Sequence, residues 1–538
     1  MNQPGTRTFG RHLLFVLAVG ILPACFVARA GAVEWPFSVP AESTSGTRRA
    51  YLWVAPDCQR VRGLLVGLQN MLERPMFEDP QIRQACAESG LGIVWIAPGT
   101  TDNTEKLRHN FGPEAWPQLQ QTLNDLARES GYVEISTTPL LATAHSAATP
   151  FVWGMGAQGA SRIIAILPYK GWFTAHGPLD VPVFHVGSEY GKVGGTNWGE
   201  TYLSDRRALM KMRGENERCL LGEFVDIGAG HFEWNPEAAK VIAMFIKKAV
   251  AARVPKAAPL DQSVQLKTIE PRSGWLLDPE KLGDKSNRPV PYAKWPGDVK
   301  KAFWYLDEEL ARAANDFMAA GLAKKPQVID FVEDGRPVSL EKGGMADLHP
   351  KFLADGATFK VEATALDKSP IAKLYGGAAV GHAPGPIQFK VSTGALKQAG
   401  SNTFRVWLGR GGVEKQSSPW EPWIMASQAG DAEFRRADRP GHPWVYVVNQ
   451  TGKPQLMDFP KIENQTRGVK TLKLKAASNS GLPVQFFVVS GPAEMKDDDT
   501  IEFLPVPPRS RFPVRVIIGA YQWGRVADPK VQSAGPVF

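Results

Sequence analysis

The stretch Leu140–Pro150, LLATAHSAATP, decides the fold of the first half of the chain. Five apolar or small residues, LLATA, lead directly into His145 and Ser146, and two alanines follow. An apolar run of this length, bounded by small and polar residues, predicts a buried β-strand. Ser146 would stand at the sharp turn after the strand, where a strained backbone lifts a side chain above the end of a sheet.

Alanine occupies the positions two before and two after this serine, at Ala144 and Ala148. Only small side chains fit where a strand turns tightly into a helix, and glycine is usual at both places. The segment therefore departs from the G-x-S-x-G pattern but keeps its steric requirement. Since small residues flank serines often by chance, a second interpretation stands beside the first, in which Ser146 is a loop or helix-capping residue.

Apolar runs and helical patterns alternate on both sides of this stretch. Such an order predicts an α/β fold, with a mostly parallel sheet covered by helices on both faces. The predicted strands cover residues 63–68, 92–97, 139–144, 163–167, 181–186 and 222–227, and the predicted helices cover 80–89, 115–129, 202–213 and 236–252.

Two further polar residues follow later strands in the same half. Glu189 comes directly after the strand at 181–186, and His231 follows the strand at 222–227 in a Gly-His pair. The order serine, acid, histidine, each after a strand, is typical of hydrolases built on such a sheet. We predict Ser146 as nucleophile, His231 as base and Glu189 as the orienting acid, with Asp226 ranked second because it lies inside its strand. The structural alternative makes His231 an ordinary surface histidine.

An acyl-transfer site also needs N–H donors for the oxyanion. We predict the backbone amides of Ala147, directly after the nucleophile, and of Asn70, in the loop after the first buried strand. His145 and His185 are interpreted as packing or hydrogen-bonding residues without a catalytic role. The chain has no H-E-x-x-H motif and no paired-cysteine spacing, so we expect no metal and no cofactor.

On these residues, the segment from about 45 to 250 resembles the α/β-hydrolase superfamily. It is most similar to exported bacterial esterases and to prolyl oligopeptidase-like hydrolases without a lid. The resemblance implies acyl transfer to water through an acyl-enzyme, and it does not name the acyl group. The chain differs from the usual pattern in the alanines beside Ser146, in a glutamate as acid, and in lacking His-Gly near Asn70.

The first thirty residues have the pattern of a secretory signal peptide. Arg7 and Arg11 precede the apolar run 13–27, and Ala28 and Ala30 give small residues at the cleavage spacing. The run is too short for a membrane span. We therefore expect a secreted or periplasmic protein, with a lipoprotein cleavage box at residues 22–25 as the lesser alternative.

Length and composition constrain the number of domains and the class of binding partner. A chain of 538 residues with 43% hydrophobic and 22% charged residues predicts several globular domains. The net charge of +8 is scattered, without a Lys/Arg block, which argues against nucleic-acid binding. The predicted domains are a signal peptide (1–30), the catalytic domain (31–255), a mainly β domain with a helix at 299–320 (256–460) and a β-sandwich (461–538).

The last domain contains SGLPVQFFVVSGPAEM at residues 480–495, which resembles bacterial immunoglobulin-like modules. Three cysteines remain after cleavage, which permits either one disulfide and a thiol or three thiols. Loop-like tryptophans in the second half would either stack on sugar rings or fill cores. They are Trp275, Trp295, Trp420, Trp423 and Trp523.

Our leading hypothesis is a serine hydrolase acting on small-molecule or polysaccharide esters. A peptidase on the same fold and a catalytically silent binding protein are the alternatives. We expect no nucleic-acid partner, and the sequence leaves the oligomeric state open.

Overall fold

An eight-stranded sheet forms the core of the first half of the computed structural model. Its strand order is β1-β2-β4-β3-β5-β6-β7-β8. β1 and β2 are antiparallel to their neighbours, and the pairs from β4 to β8 are parallel. The strands are β1 (Phe37–Ala41), β2 (Arg48–Trp53), β3 (Gly63–Leu68), β4 (Leu91–Ala97), β5 (Leu140–His145), β6 (Ile163–Tyr169), β7 (Val183–Ser188) and β8 (Leu221–Asp226).

Every residue of β3 to β8 is buried. This is why these strands are uninterrupted apolar runs, since a parallel sheet is covered on both faces. The helices of this half are α1 (Glu73–Glu78), α2 (Pro80–Ser89), α3 (Ala115–Ser130), α4 (Thr149–Gln158), α5 (Thr201–Glu215) and α6 (Ala239–Arg253). The predicted mostly parallel sheet with helices is thus present, and β5 lies in its middle between β3 and β6.

The second half is built from short strands in small sheets, together with the helix α7 (Glu308–Leu322), which packs against β8 and α6 of the first half. In the described residues these sheets have two to four strands each. The strands are β9 (Trp275–Leu277), β10 (Val290–Pro291), β11 (Phe303–Tyr305), β12 (Ile329–Glu333), β13 (Arg336–Pro337), β14 (Ala346–Leu348), β15 (Thr358–Lys360), β16 (Glu362–Ala365), β17 (Gln388–Thr393), β18 (Leu396–Gln398), β19 (Thr403–Val406), β20 (Trp423–Gln428), β21 (Ala437–Pro443), β22 (Met457–Asp458), β23 (Thr471–Lys473), β24 (Ala477–Ser478), β25 (Gln485–Ser490), β26 (Ala493–Met495), β27 (Thr500–Phe503), β28 (Ile517–Gln522) and β29 (Ala534–Val537).

The faces of the β25–β28 pair point into two different cores. Phe487 and Tyr521 join a cluster that begins at Ile329, whereas Phe486 and Ala520 join a cluster confined to the last eighty residues. The C-terminal strands therefore share a core with the region before them. The domain boundaries at 255 and 460 stay predictions.

Two elements of the second half differ from the sequence-based expectation. The helix predicted at 299–320 begins only at Glu308, where the side chain of Asp307 caps Leu310, and Phe303–Tyr305 form β11 instead. Three consecutive aromatic residues pack better on a pleated strand than in a helix. The apolar residues 444–448, WVYVV, also predict a strand from the sequence, but β21 ends at Pro443, and Trp444 and Val445 lie beyond it.

The structure describes residues 1, 35–41, 48–97, 111, 115–159, 161–171, 180–189, 201–256, 263–338, 345–367, 381–410, 422–445 and 448–538, without the side chains of 201–204. Residues Glu34–Phe538 form one compact unit. The predicted signal peptide lies outside the described residues. Among the helices that are described, none has the length and apolar character needed to span a membrane.

Candidate active site

Ser146 stands directly after β5, at the start of a short 3₁₀ turn that leads into α4. Its φ angle is +53°, a left-handed conformation that non-glycine residues adopt rarely and that recurs at active sites. Ala144 and Ala148 are fully buried beside it, as the tight turn requires. Gly171 closes the turn from β6, because a Cβ there would lie 2.7 Å from the Ser146 carbonyl oxygen.

The structure brings Ser146 and His231 together. His231 Nε2 lies 2.7 Å from Ser146 Oγ, although the residues are 85 positions apart. Both residues are about 95% buried. A neutral imidazole at this distance accepts the hydroxyl hydrogen, which is the contact between a nucleophile and its general base. His231 lies in the turn after β8, before α6.

Glu189 follows β7 at the same edge of the sheet. One carboxylate oxygen accepts a 2.7 Å hydrogen bond from the Gly228 amide, and the other lies 2.6 Å from the Arg435 guanidinium. Gly228 begins the turn that carries His231, so Glu189 ties that turn to the end of β7. Arg435 comes from the second half of the chain.

Asp226, the second-ranked acid, contacts Lys170 and Asn235. Its two carboxylate oxygens lie 2.9 Å from Lys170 Nζ and 2.7 Å from Asn235 Nδ2. Burial raises the pKa of Asp226, and the Lys170 charge opposes that shift. Lys170 also donates to the carbonyl oxygens of Gly230 and Glu233. Lys170, which is paired with Asp226, thus holds the backbone on both sides of His231 through these two carbonyl oxygens.

Glu73, in α1, holds the loop after β3 against the end of β5. One of its oxygens accepts from the amide of His145, at 2.5 Å, and the other accepts from the amides of Asn70 and Met71. Burial raises the pKa of Glu73 to about 7, against the lowering effect of these hydrogen bonds. The Asn70 backbone amide therefore points at Glu73, whereas the prediction directed it at a substrate oxyanion.

His145 links three parts of the site through its ring. Its Nε2 lies 2.8 Å from the carbonyl oxygen of His231, and its Nδ1 lies 3.1 Å from Asn70 Nδ2. Because a carbonyl oxygen only accepts, Nε2 carries the hydrogen, and in the neutral ring Nδ1 accepts from the Asn70 amide. The interpretation of His145 as a hydrogen-bonding residue agrees with these contacts.

The second half of the chain also reaches the site through aromatic packing. Phe232, next to His231, stacks on Trp423 of β20, with ring centroids 5.2 Å apart and planes inclined by 27°. His442 of β21 lies behind Trp423, at 5.3 Å. Trp423 and Trp523 are almost fully buried, which favours a packing role for these two tryptophans. Trp420 lies outside the described residues.

The described residues contain neither a cluster of metal-binding side chains nor a disulfide. No group of three or more histidine, cysteine or acidic side chains there is arranged to hold a metal ion. Cys58, Cys86 and Cys219 are thiols without a disulfide between them. Burial raises the pKa of Cys86 to about 12, which makes it an unreactive packing residue.

Comparison with known proteins gave similarity at the level of structure alone. No protein-family model matches the chain, and no curated protein sequence matches it. Among solved structures, a lidless α/β serine hydrolase from Xanthomonas campestris aligns at 10% identity over 43% of this chain and 99% of its own, with a TM-score of 0.30. A serine hydrolase homologue from Coxiella burnetii aligns at 10% identity over 40% and 99%, with a TM-score of 0.28. An S-formylglutathione hydrolase from Staphylococcus aureus aligns at 10% identity over 40% and 94%, with a TM-score of 0.26.

Three residues at the site were absent from the sequence-based prediction: Glu73, Lys170 and Arg435. Lys170 carried one local signal, since it directly follows β6 in a Tyr-Lys-Gly sequence. Arg435 carried none, and the sequence named Trp423 only as a loop-like tryptophan, because tertiary packing alone brings residues beyond 400 to the ends of β7 and β8.

Proposed function

We propose that this chain is a serine hydrolase that cleaves carboxylic esters through an acyl-enzyme. The observation that carries the proposal is the 2.7 Å contact between His231 Nε2 and Ser146 Oγ, made by a serine with a strained φ of +53°. A serine hydroxyl is a weak nucleophile until a positioned base removes its proton. The turn after β5 fixes the position of the Ser146 hydroxyl, and His231, in the turn after β8, supplies the base.

The reaction follows from these positions. Ser146 Oγ attacks the ester carbonyl carbon while its proton passes to His231 Nε2. The C–O bond to the alcohol then breaks, and His231 returns the proton to the departing alcohol oxygen. Water attacks the acyl-enzyme in the same way, with His231 again as base, and releases the carboxylic acid and Ser146.

Glu189 is the acid in this proposal. It directly follows β7 at the edge where Ser146 and His231 lie, and its carboxylate accepts from the turn that carries His231. The role given to Glu189 is to orient His231 and to stabilise its cation. The engagement of Asp226 by Lys170 and Asn235 supports Glu189 over Asp226 for this role.

The oxyanion donors are the Ala147 amide and the side chain of Asn70. Ala147 directly follows the nucleophile in the 3₁₀ turn. The Asn70 backbone amide is committed to Glu73, so we assign its side-chain amide, one of whose hydrogens is donated to His145. Removing one donor of this kind typically lowers kcat by about 10²–10³.

The narrower proposals are a carbohydrate ester as substrate and export of the protein. The first rests on a hydrolase followed by β-rich, immunoglobulin-like modules, which is an architectural analogy. The burial of Trp423 and Trp523 removes two of the tryptophans that we considered for sugar stacking. The second rests on the pattern of residues 1–30.

Hydrolysis of 4-nitrophenyl acetate by the full chain tests the function. We expect turnover by the wild type and a loss of about 10³-fold or more in Ser146→Ala, since removing a nucleophile leaves only binding and oxyanion effects. Ser136→Ala serves as the matched control with unchanged activity, since Ser136 is a half-buried serine whose hydroxyl donates to the Val133 carbonyl oxygen.

Other results of this assay would favour one of the alternative functions or another nucleophile. Turnover that survives in Ser146→Ala would contradict the assignment of the nucleophile. A folded wild type that hydrolyses peptide amides but no short ester would favour the peptidase alternative. A folded wild type that hydrolyses neither would favour the silent binding protein.

A further inference from the structure

Arg435 is fixed by its backbone as well as by its side chain. Its amide donates to the Lys325 carbonyl at 3.0 Å, and the Lys325 amide donates to the Glu433 carbonyl at 2.8 Å. The buried side chain of Gln327 donates to the Arg435 carbonyl, also at 2.8 Å. The segment before β21 is thus tied to the segment before β12, which presents the guanidinium from a defined position.

The guanidinium reaches across to the catalytic half. Arg435 Nη2 lies 2.6 Å from Glu189 Oε1, and each side chain is only 8% exposed. The other Glu189 oxygen is held by Gly228, whose φ of +87° is a left-handed conformation that favours glycine. A Cβ on Gly228 would lie 2.9 Å from the Arg436 carbonyl oxygen, so the two halves are packed closely here.

We propose that Arg435 is a positioning residue for the hydrolase reaction, acting through Glu189. The connection runs from Arg435 to the Glu189 carboxylate, from there to the Gly228 amide, and along the turn to His231 three residues later. The second half of the chain is then part of the catalytic apparatus. This inference rests on the function proposed above.

Charge and shape explain why an arginine suits this place. A buried carboxylate without a partner is costly and tends to take up a proton or to rotate toward water. Arginine stays charged at all physiological pH values, and its planar group fixes the direction of the hydrogen bond. Lysine would supply the charge but, on its flexible side chain, would not fix the direction of the hydrogen bond. Methionine would supply neither the charge nor the hydrogen bond.

The test measures kcat and KM for 4-nitrophenyl acetate in the full chain. We expect Arg435→Met to lower kcat about 10–100-fold with KM within about threefold of the wild type, because misplacing a catalytic group reduces the chemical step. Arg435→Lys should recover most of kcat, to within about threefold of the wild type, since it restores the charge.

Arg439→Met is the matched control. Arg439 is also a buried arginine of the second half, paired with Asp330 at 2.9 Å, but inside the β-rich core. Its loss should lower the unfolding temperature and leave kcat within about twofold. A kcat loss in Arg439→Met equal to that in Arg435→Met would overturn the proposal, because the effect would then be one of stability.

A double variant tests whether Arg435 acts through Glu189, and it keeps the test usable if Arg435→Met does not fold. Arg435→Gln combined with Glu189→Gln should have the kcat of Glu189→Gln alone, since the second change removes a contact already lost. Independent, multiplying losses in kcat would overturn the proposal. Wild-type kcat retained in Arg435→Met would do the same, whereas an inactive wild type would remove the proposed function itself.

Discussion

The two halves of this molecule differ in how they bury their strands. In the first half, β3 to β8 are buried at every position, and together they place several polar side chains at one edge of a single sheet. In the second half, strands such as β16 and β17 alternate between more and less exposed positions, and they form separate small sheets. The first arrangement brings polar side chains together at one edge of the eight-stranded sheet. The second distributes its polar side chains over many loops.

The two halves accordingly contribute different kinds of residue to the site. Ser146, His231 and Glu189 all come from the first half, each directly after a strand or in the turn that follows it. The second half contributes Arg435 and Trp423, which contact Glu189 and Phe232. We therefore interpret the first half as the source of the reacting groups and the second half as a support that holds them.

The ring of His145, in the first half, gives the strongest test of this division between the halves. His145→Asn keeps an acceptor near the Nδ1 position, facing Asn70, but loses the donor to the His231 carbonyl; His145→Gln keeps a donor near the Nε2 position. We expect kcat for 4-nitrophenyl acetate to fall about 10–100-fold in the asparagine variant, and about tenfold or less in the glutamine variant, because the former releases His231. Equal losses in both variants would show that the His231 contact does not position the base.

The next effect concerns Glu73 and pH. The folded pKa of about 7 lies above the ordinary value of 4.5, so between these values the folded state holds a proton that the unfolded state has released. The stability contributed by this group is therefore fully present below pH 4.5 and is lost as pH rises toward 7. The advantage of the wild type over Glu73→Gln should shrink over that window by up to about 3 kcal/mol.

Urea unfolding of both proteins at pH 5 and pH 8 measures this change. The exposed Glu88, changed to glutamine, is the control, and its stability difference from the wild type should vary by less than about 0.5 kcal/mol. An advantage of the wild type that grew with pH would mean that hydrogen bonding to the Glu73 carboxylate outweighs the cost of its burial.

The smallest expected effect belongs to the aromatic contact from the second half. Trp423→Phe keeps a ring against Phe232 while reducing its area, and aromatic pairs contribute about 0.5–1.5 kcal/mol. We expect a slightly lower unfolding temperature and kcat within about threefold of the wild type. A loss in kcat as large as that of His145→Asn would contradict the division of work, because Trp423 would then act on the reaction itself.

The order of elements in the first half was predictable because its strands are continuous apolar runs. The helix predicted at 80–89 has the observed bounds of α2, and the strand predicted at 63–68 has those of β3. The proximity of Ser146 and His231 followed from the same order, since the carboxyl ends of parallel strands meet at one edge. The antiparallel strands β1 and β2 were not predicted.

The supports of the site could not be predicted in the same way. Glu73 is a helical glutamate whose sequence context resembles that of a surface residue, and only the fold turns it toward three backbone amides. Arg435 lies 246 residues from Glu189, and no local pattern specifies a pairing over that distance. Contacts of this kind depend on how the halves pack, which periodicity does not encode.

Covalent labelling by a fluorophosphonate shows directly whether Ser146 is an activated serine, because the probe reacts with a serine only when a base activates it. The full chain is treated with the probe, and the modified residue is located by peptide mass spectrometry in the wild type, in Ser146→Ala and in His231→Ala. We predict one adduct on Ser146 in the wild type, none at that position in Ser146→Ala, and strongly slowed labelling in His231→Ala. A folded wild type that stays unlabelled, or that carries its adduct on another serine, would contradict the assignment of Ser146 as the nucleophile activated by His231.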